Sequence, residues 1–137
     1  MLDYQRIEKA ITQAEMKTSG EIRVYVEEKC QGETLDRAAE VFEKLEMHKT
    51  ALRNGVLFYL ATKDKKFAIL GDGGINTKVG KDFWNEIKST MLEFLKNGDL
   101  NSSLETGINM AGDALSNHFP YDALTDKNEL SNEIVKG

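Results

Sequence analysis

The chain has 137 residues, 40% of them apolar and 8% aromatic, enough for one sizeable core, so a single domain over residues 1–137 is expected. With 23 acidic against 18 basic residues the net charge is −5, and the Lys and Arg are scattered rather than gathered into a stripe, which argues against nucleic acid as a partner. The longest apolar run, Val56 to Ala61, is too short to cross a bilayer, and Met1 to Arg6 lack the charged-then-apolar layout of a signal peptide. A cytoplasmic chain without membrane insertion is therefore expected, and the lone Cys30 allows neither an internal disulfide nor a thiolate zinc site.

Tyr4, Ile7, Ile11 and Ala14 recur at helical spacing, so residues 3–18 read as an amphipathic helix that Ser19-Gly20 stops. Glu21 to Glu27 alternate polar and apolar side chains, the pattern of a strand with one wetter face, near an edge of the sheet. Thr34 is a plausible cap for a second helix to about Met47, with Leu35, Ala38, Phe42 and Leu45 as its buried stripe.

Asn54-Gly55 breaks the chain, and the continuous run Val56 to Ala61 reads as a central strand covered on both faces. A polar loop, Lys63 to Lys66, leads into Phe67 to Leu70, which should return antiparallel beside it, and Gly71-Asp72-Gly73-Gly74 ends that strand as a turn. A helix from about Gly80 to Asn97 turns Trp84, Ile87, Met91 and Leu95 inward. Another runs from about Leu100 to Asn117, with Gly107 and Gly112 permitting close packing. Phe119-Pro120 stops it, and residues 119–137 form an acidic tail packed on or near the domain. The expected architecture is α/β, with helices flanking a small mixed sheet of two parallel strands plus an antiparallel hairpin strand.

This order of elements makes the first two strands parallel through a right-handed crossover, with the third running back against the second. The start of the first strand (Glu21), the approach to the second (Thr50, Arg53, Asn54) and the end of the third (Asp72 among its glycines) then meet at one end of the sheet. Asp72 with nearby carbonyls and a second carboxylate such as Glu21 would suit Ca²⁺, with Mg²⁺ or Mn²⁺ as alternatives, whereas exposed amides plus Arg53 would suit a phosphate. Asn76 stands where a third glycine of a dinucleotide fingerprint belongs, and no phosphate-loop motif is present. In the tail, Asp126, Asn128 and Glu129 have oxygen donors at calcium-loop-like intervals without being an EF-hand; His48 and His118 are isolated and read as structural.

Thr18 to Val24, Thr50 with Arg53 to Leu57, Gly71 to Ile75, Phe83-Trp84, and Phe119-Pro120 with Asp126 to Leu130 occur in an order that resembles the TPM domain family over nearly the whole chain. The resemblance implies a three-layer α/β/α sandwich. It also implies several functions: a plant lumenal member is associated with photosystem II repair and acid phosphatase activity, some members bind calcium, and an animal member modulates an acetylcholine receptor. Many relatives carry a signal peptide and a membrane helix, and neither is expected here. Carried onto this sequence, the implied site uses Glu21 and Asp72, with Thr50 and Arg53 beside them and the Asp126 to Glu129 segment folding nearby. The leading expectation is a calcium-binding module with Asp72 as principal ligand. The alternatives are a weak metal-assisted acid phosphatase with Asp72, Arg53 and Thr50 as candidate catalytic groups, and a ligand-free protein-interaction domain.

Overall fold

A computed structural model of the protein describes residues 2–121 and 132–137. Asp126, Asn128 and Glu129 lie outside the described residues. The sheet is built from β1 (Glu21–Glu27), β2 (Gly55–Ala61), β3 (Lys66–Gly71) and β4 (Val135–Lys136), in the order β3-β2-β1-β4. β1 and β2 are parallel, and β2 and β3 antiparallel, as the element order requires. The register places Glu21 opposite Gly55, and Val56 opposite Gly71, so the starts of β1 and β2 and the end of β3 are level.

The period of two in the strands divides the core into two layers. Ile22, Val24, Val26, Val56, Phe58, Leu60 and Ile69 face α1 (Tyr4–Glu15), α3 (Gly73–Val79), α4 (Lys81–Lys96) and α5 (Leu100–His118). Tyr25, Leu57, Tyr59, Ala61 and Ala68 face α2 (Thr34–Lys44) and a short 3-10 turn, Met47–Lys49. Helices on both sides of one mixed, open sheet make an α/β/α sandwich.

Four details differ from the sequence expectation. The tail adds a strand, because Val135 and Lys136 pair in parallel with Tyr25 and Val26, so β1 is an interior strand rather than an edge. Two residues of pairing are too few to leave a periodic signal. Gly73 to Val79 form a helix rather than a plain turn, with Asp72 as its N-cap. α2 stops at Lys44, before the 3-10 turn. Finally, Leu35 is exposed in the first turn of α2, whose buried stripe is Ala38, Val41 and Phe42 with Leu45 packed at its margin.

On the α2 side, the Arg37 guanidinium donates to both Glu27 oxygens at 2.9 and 3.1 Å, and the Tyr59 hydroxyl donates to the same carboxylate. Arg37 holds the Glu27 carboxyl below its ordinary range despite partial burial, while burial and Glu27 together push the Tyr59 phenol up. Replacing Arg37 leaves a shielded carboxylate with one partner fewer. Arg37→Ala is expected to cost about 1–2 kcal/mol at neutral pH. Because the Glu27 carboxyl is depressed in the fold, that cost shrinks as pH falls below the ordinary glutamate range. Urea unfolding midpoints at pH 7 and pH 3 check both statements.

Candidate functional site

Six polar or charged residues are buried among the described residues, and four of them, Glu21, Thr50, Asn54 and Asp72, belong to the end of the sheet where β1 and β2 begin and β3 ends. Each arrives by a different route. Glu21 is the first residue of β1, and its N–H donates to the Asn54 carbonyl. Thr50 and Asn54 bracket the loop before β2, and that loop is turned by Arg53 in a left-handed conformation at φ 52°. Asp72 leaves β3 with its N–H donating to the Gly55 carbonyl at 2.9 Å, and its carboxylate then caps α3 by accepting from the Gly73 N–H at 2.7 Å. In sheet order Asn54 therefore stands between Glu21 and Asp72.

Each acid has a partner of its own. Both Asp72 oxygens are bound by the Arg53 guanidinium, through Nε at 2.7 Å and through its neighbouring nitrogen at 2.7 Å. Burial pushes the Asp72 carboxyl up, but Arg53, the Gly73 N–H and the nearby His48 outweigh it and hold the group below its usual value. The pair is lopsided in exposure: the Asp72 side chain is 6% accessible and that of Arg53 is 55%. One side of the ion pair is thus anchored while the other can leave.

Glu21 instead meets Glu15, from the last turn of α1. The Glu15 carboxylate accepts from the Ile22 N–H at 2.7 Å, and its other contact is a hydrogen bond with the Glu21 carboxyl. Two carboxyls can bond to each other only through a shared proton. Burial first, then the charge and hydrogen bond of Glu21, push Glu15 up to about 8 against the opposing Ile22 N–H. Arg23 lies close by, with its Nε buried and without a hydrogen-bond partner among the described residues, and burial lowers its pKa against the pull of Glu133 and Glu15.

In the loop that leads into β2, the Thr50 hydroxyl and the Asn54 amide nitrogen are buried and make no hydrogen bond among the described residues. An orphaned hydroxyl and amide cost free energy unless something fills their bonds, so this pair marks a place built to face a polar group. Glu21 and Asp72 themselves stand two strand spacings apart, about 9.5 Å between backbones. Among the described residues no three His, Cys, Asp or Glu side chains already form a metal-holding group. Sequence reasoning brought Glu21, Thr50, Arg53, Asn54 and Asp72 to this end, without making Asn54 a site residue, and missed Glu15. Asn54 was visible as a chain breaker, and Glu15 as the last polar residue before the turn that reverses the chain toward Glu21.

An open mixed sheet between helices, with buried polar groups gathered at one end, defines the class as an α/β/α sandwich domain. Residues 2–114 match the family model described as the TPM domain, and the chain belongs to that family. The fold is similar to the NMR structure of BA42 protein from the psychrophilic bacteria Bizionia argentinensis sp. nov., at 43% identity and a TM-score of 0.92, over 100% of this chain and 96% of that one. No curated protein matches the chain. No helix among the described residues is long and apolar enough to cross a membrane.

Proposed function

We propose that this TPM domain binds a divalent cation, calcium by donor type, at the end of the sheet bounded by Glu21 and Asp72. The observation that carries the reading is the buried, unpartnered Thr50 hydroxyl on the approach to β2, the strand that lies between Glu21 of β1 and Asp72 at the end of β3. Calcium takes six to eight oxygen ligands, and carboxylates, amide carbonyls and hydroxyls are the donors it prefers. Glu21 and Glu15 supply carboxylates that now share a proton, and a dication in place of that proton removes their repulsion. Thr50 supplies a neutral oxygen, and Asp126, Asn128 and Glu129 complete the shell in this reading. Asp72 joins once Arg53, its exposed counterion, swings out.

In this scheme Arg53 occupies the place of the cation and competes with it. Calcium is expected to raise the melting temperature, since a ligand bound only by the folded state stabilises it. Glu21→Gln is expected to abolish the rise, and Arg53→Ala to reach half of its maximal rise at a severalfold lower calcium concentration. A melting temperature indifferent to calcium in the wild-type protein, or an unaltered response in Glu21→Gln, contradicts the assignment. Manganese and magnesium serve as comparison ions.

A phosphomonoesterase reading has one observation in its favour, a cleft of about 360 Å³ beside Arg53 and His48 with Asp72 at its edge. The Arg53 guanidinium and the His48 imidazole N–H suit a phosphate, and a cation on Asp72 would polarise it. Release of p-nitrophenol from p-nitrophenyl phosphate with calcium, magnesium or manganese, lost in Arg53→Ala, is the expected result. No release from acid to neutral pH overturns this second reading and leaves the cation site standing.

A further inference from the structure

A further concavity lies at the end of the sheet opposite the candidate site, where β2 ends and the β2–β3 hairpin turns under the last turns of α4. It encloses about 500 Å³, a volume within the range of small-molecule sites. Its apolar wall is Leu60 and Phe67 from the sheet, Leu92 and Leu95 from α4, and Leu100 from the start of α5. Leu92 is 45% exposed at its mouth.

The rim carries charge of one sign. Lys65, Lys66 and Lys96 all line the opening, in a chain whose net charge is −5. The acids of the same neighbourhood are occupied elsewhere. Asp64 accepts from the Cys30 N–H at 2.8 Å, Asp99 caps α5 by accepting from the Ser102 N–H at 3.0 Å, and Glu28 is paired with Lys63 at 2.8 Å. Glu93 reaches Lys96 only at 3.9 Å, on the surface, and Lys65 and Lys66 have no ion pair among the described residues. An apolar chamber whose mouth carries Lys65 and Lys66 without an ion pair among the described residues, and Lys96 in one long surface pair, is complementary to a molecule with an apolar chain and an anionic head.

We propose that this cavity is a binding site for an alkyl carboxylate of the medium-chain fatty-acid class, its chain between the hairpin and α4 and its carboxylate among Lys65, Lys66 and Lys96. The site is independent of the cation site, since the length of β2 separates them. Decanoate, held below its micellar concentration, is the probe, with decanol and decyltrimethylammonium as the uncharged and cationic controls. Amide chemical shifts of the folded protein are expected to move saturably with decanoate at the residues around Leu60, Phe67, Leu92 and Leu95, and less with either control. The double variant Lys65→Glu/Lys66→Glu, exposed on the hairpin, is expected to bind decanoate about tenfold more weakly, equal to about 1.4 kcal/mol. Leu92→Glu, at the mouth, should weaken it as well, and an unaltered shift pattern elsewhere certifies the fold of both. Equal responses to all three probes, shifts scattered over the surface, or no saturable shifts with decanoate overturn the proposal.

Discussion

Gly74→Ala is expected to destabilise the domain by about 3 kcal/mol, while Gly73→Ala, one residue earlier, leaves stability unchanged or raises it by up to about 1 kcal/mol. Both glycines lie in the first turn of α3, where alanine is the better helix former, so propensity alone favours both changes. The surroundings separate them. A methyl group on Gly73 meets nothing, whereas one on Gly74 collides with the backbone carbonyls of Leu52 and Arg53. Backbone cannot rotate out of the way as a side chain can, so the loop from Thr50 to Asn54 must lift off α3. That lift also withdraws Arg53 from Asp72 and disturbs the left-handed turn that aims it. Urea unfolding followed by circular dichroism measures both variants. A wild-type midpoint for Gly74→Ala would mean that the loop is not seated on α3, and the placement of Thr50 and Asn54 would fall with it.

Glu15→Gln is expected to stabilise the protein by about 2 kcal/mol at pH 8 in the presence of a chelator, and to make no difference near pH 4.5. The sign follows from the raised Glu15 carboxyl, which titrates at about 8 in the fold against an ordinary value of 4.5. Between those values the native state holds a proton that the unfolded chain has released, so stability falls as pH rises through that window and levels off above it. Glutamine imitates the protonated form: its amide oxygen accepts from the Ile22 N–H and its nitrogen donates to Glu21 at every pH. Unfolding midpoints from pH 4.5 to pH 9 check this. The wild type should lose stability across the window and Glu15→Gln should not; parallel profiles would mean that Glu15 and Glu21 do not share a proton.

The strands were legible because their constraints are local. Val56 to Ala61 had to be covered on both faces, and Lys63 to Lys66 was short enough to force a hairpin, so the meeting of Glu21, Thr50, Arg53 and Asp72 at one end followed from chain order. The family motifs resolve into contacts in the same way. The Trp84 indole N–H donates to the Asn76 amide oxygen at 2.8 Å, the Asn76 nitrogen donates to the Gly71 carbonyl at 2.8 Å, and Gly71 lies so close under the indole that a side chain there would strike it. What escaped sequence reasoning depends on tertiary partners. β4 exists only because β1 offers it a free edge, and the helical state of Gly73-Gly74 rests on the Asp72 cap and the Leu52–Arg53 carbonyls rather than on propensity. The Glu15–Glu21 pair arises from the angle at which α1 meets the sheet, which no periodicity encodes.

The most direct test of the cation site is a calcium titration of the amide spectrum, carried out in parallel on the wild-type protein and Glu21→Gln. Saturable shifts at Glu15, Glu21, Thr50, Asn54 and Gly71 to Gly74, absent in Glu21→Gln, are the expected result; no shifts at millimolar calcium, or the same shifts in both proteins, would contradict a cation site at this end of the sheet.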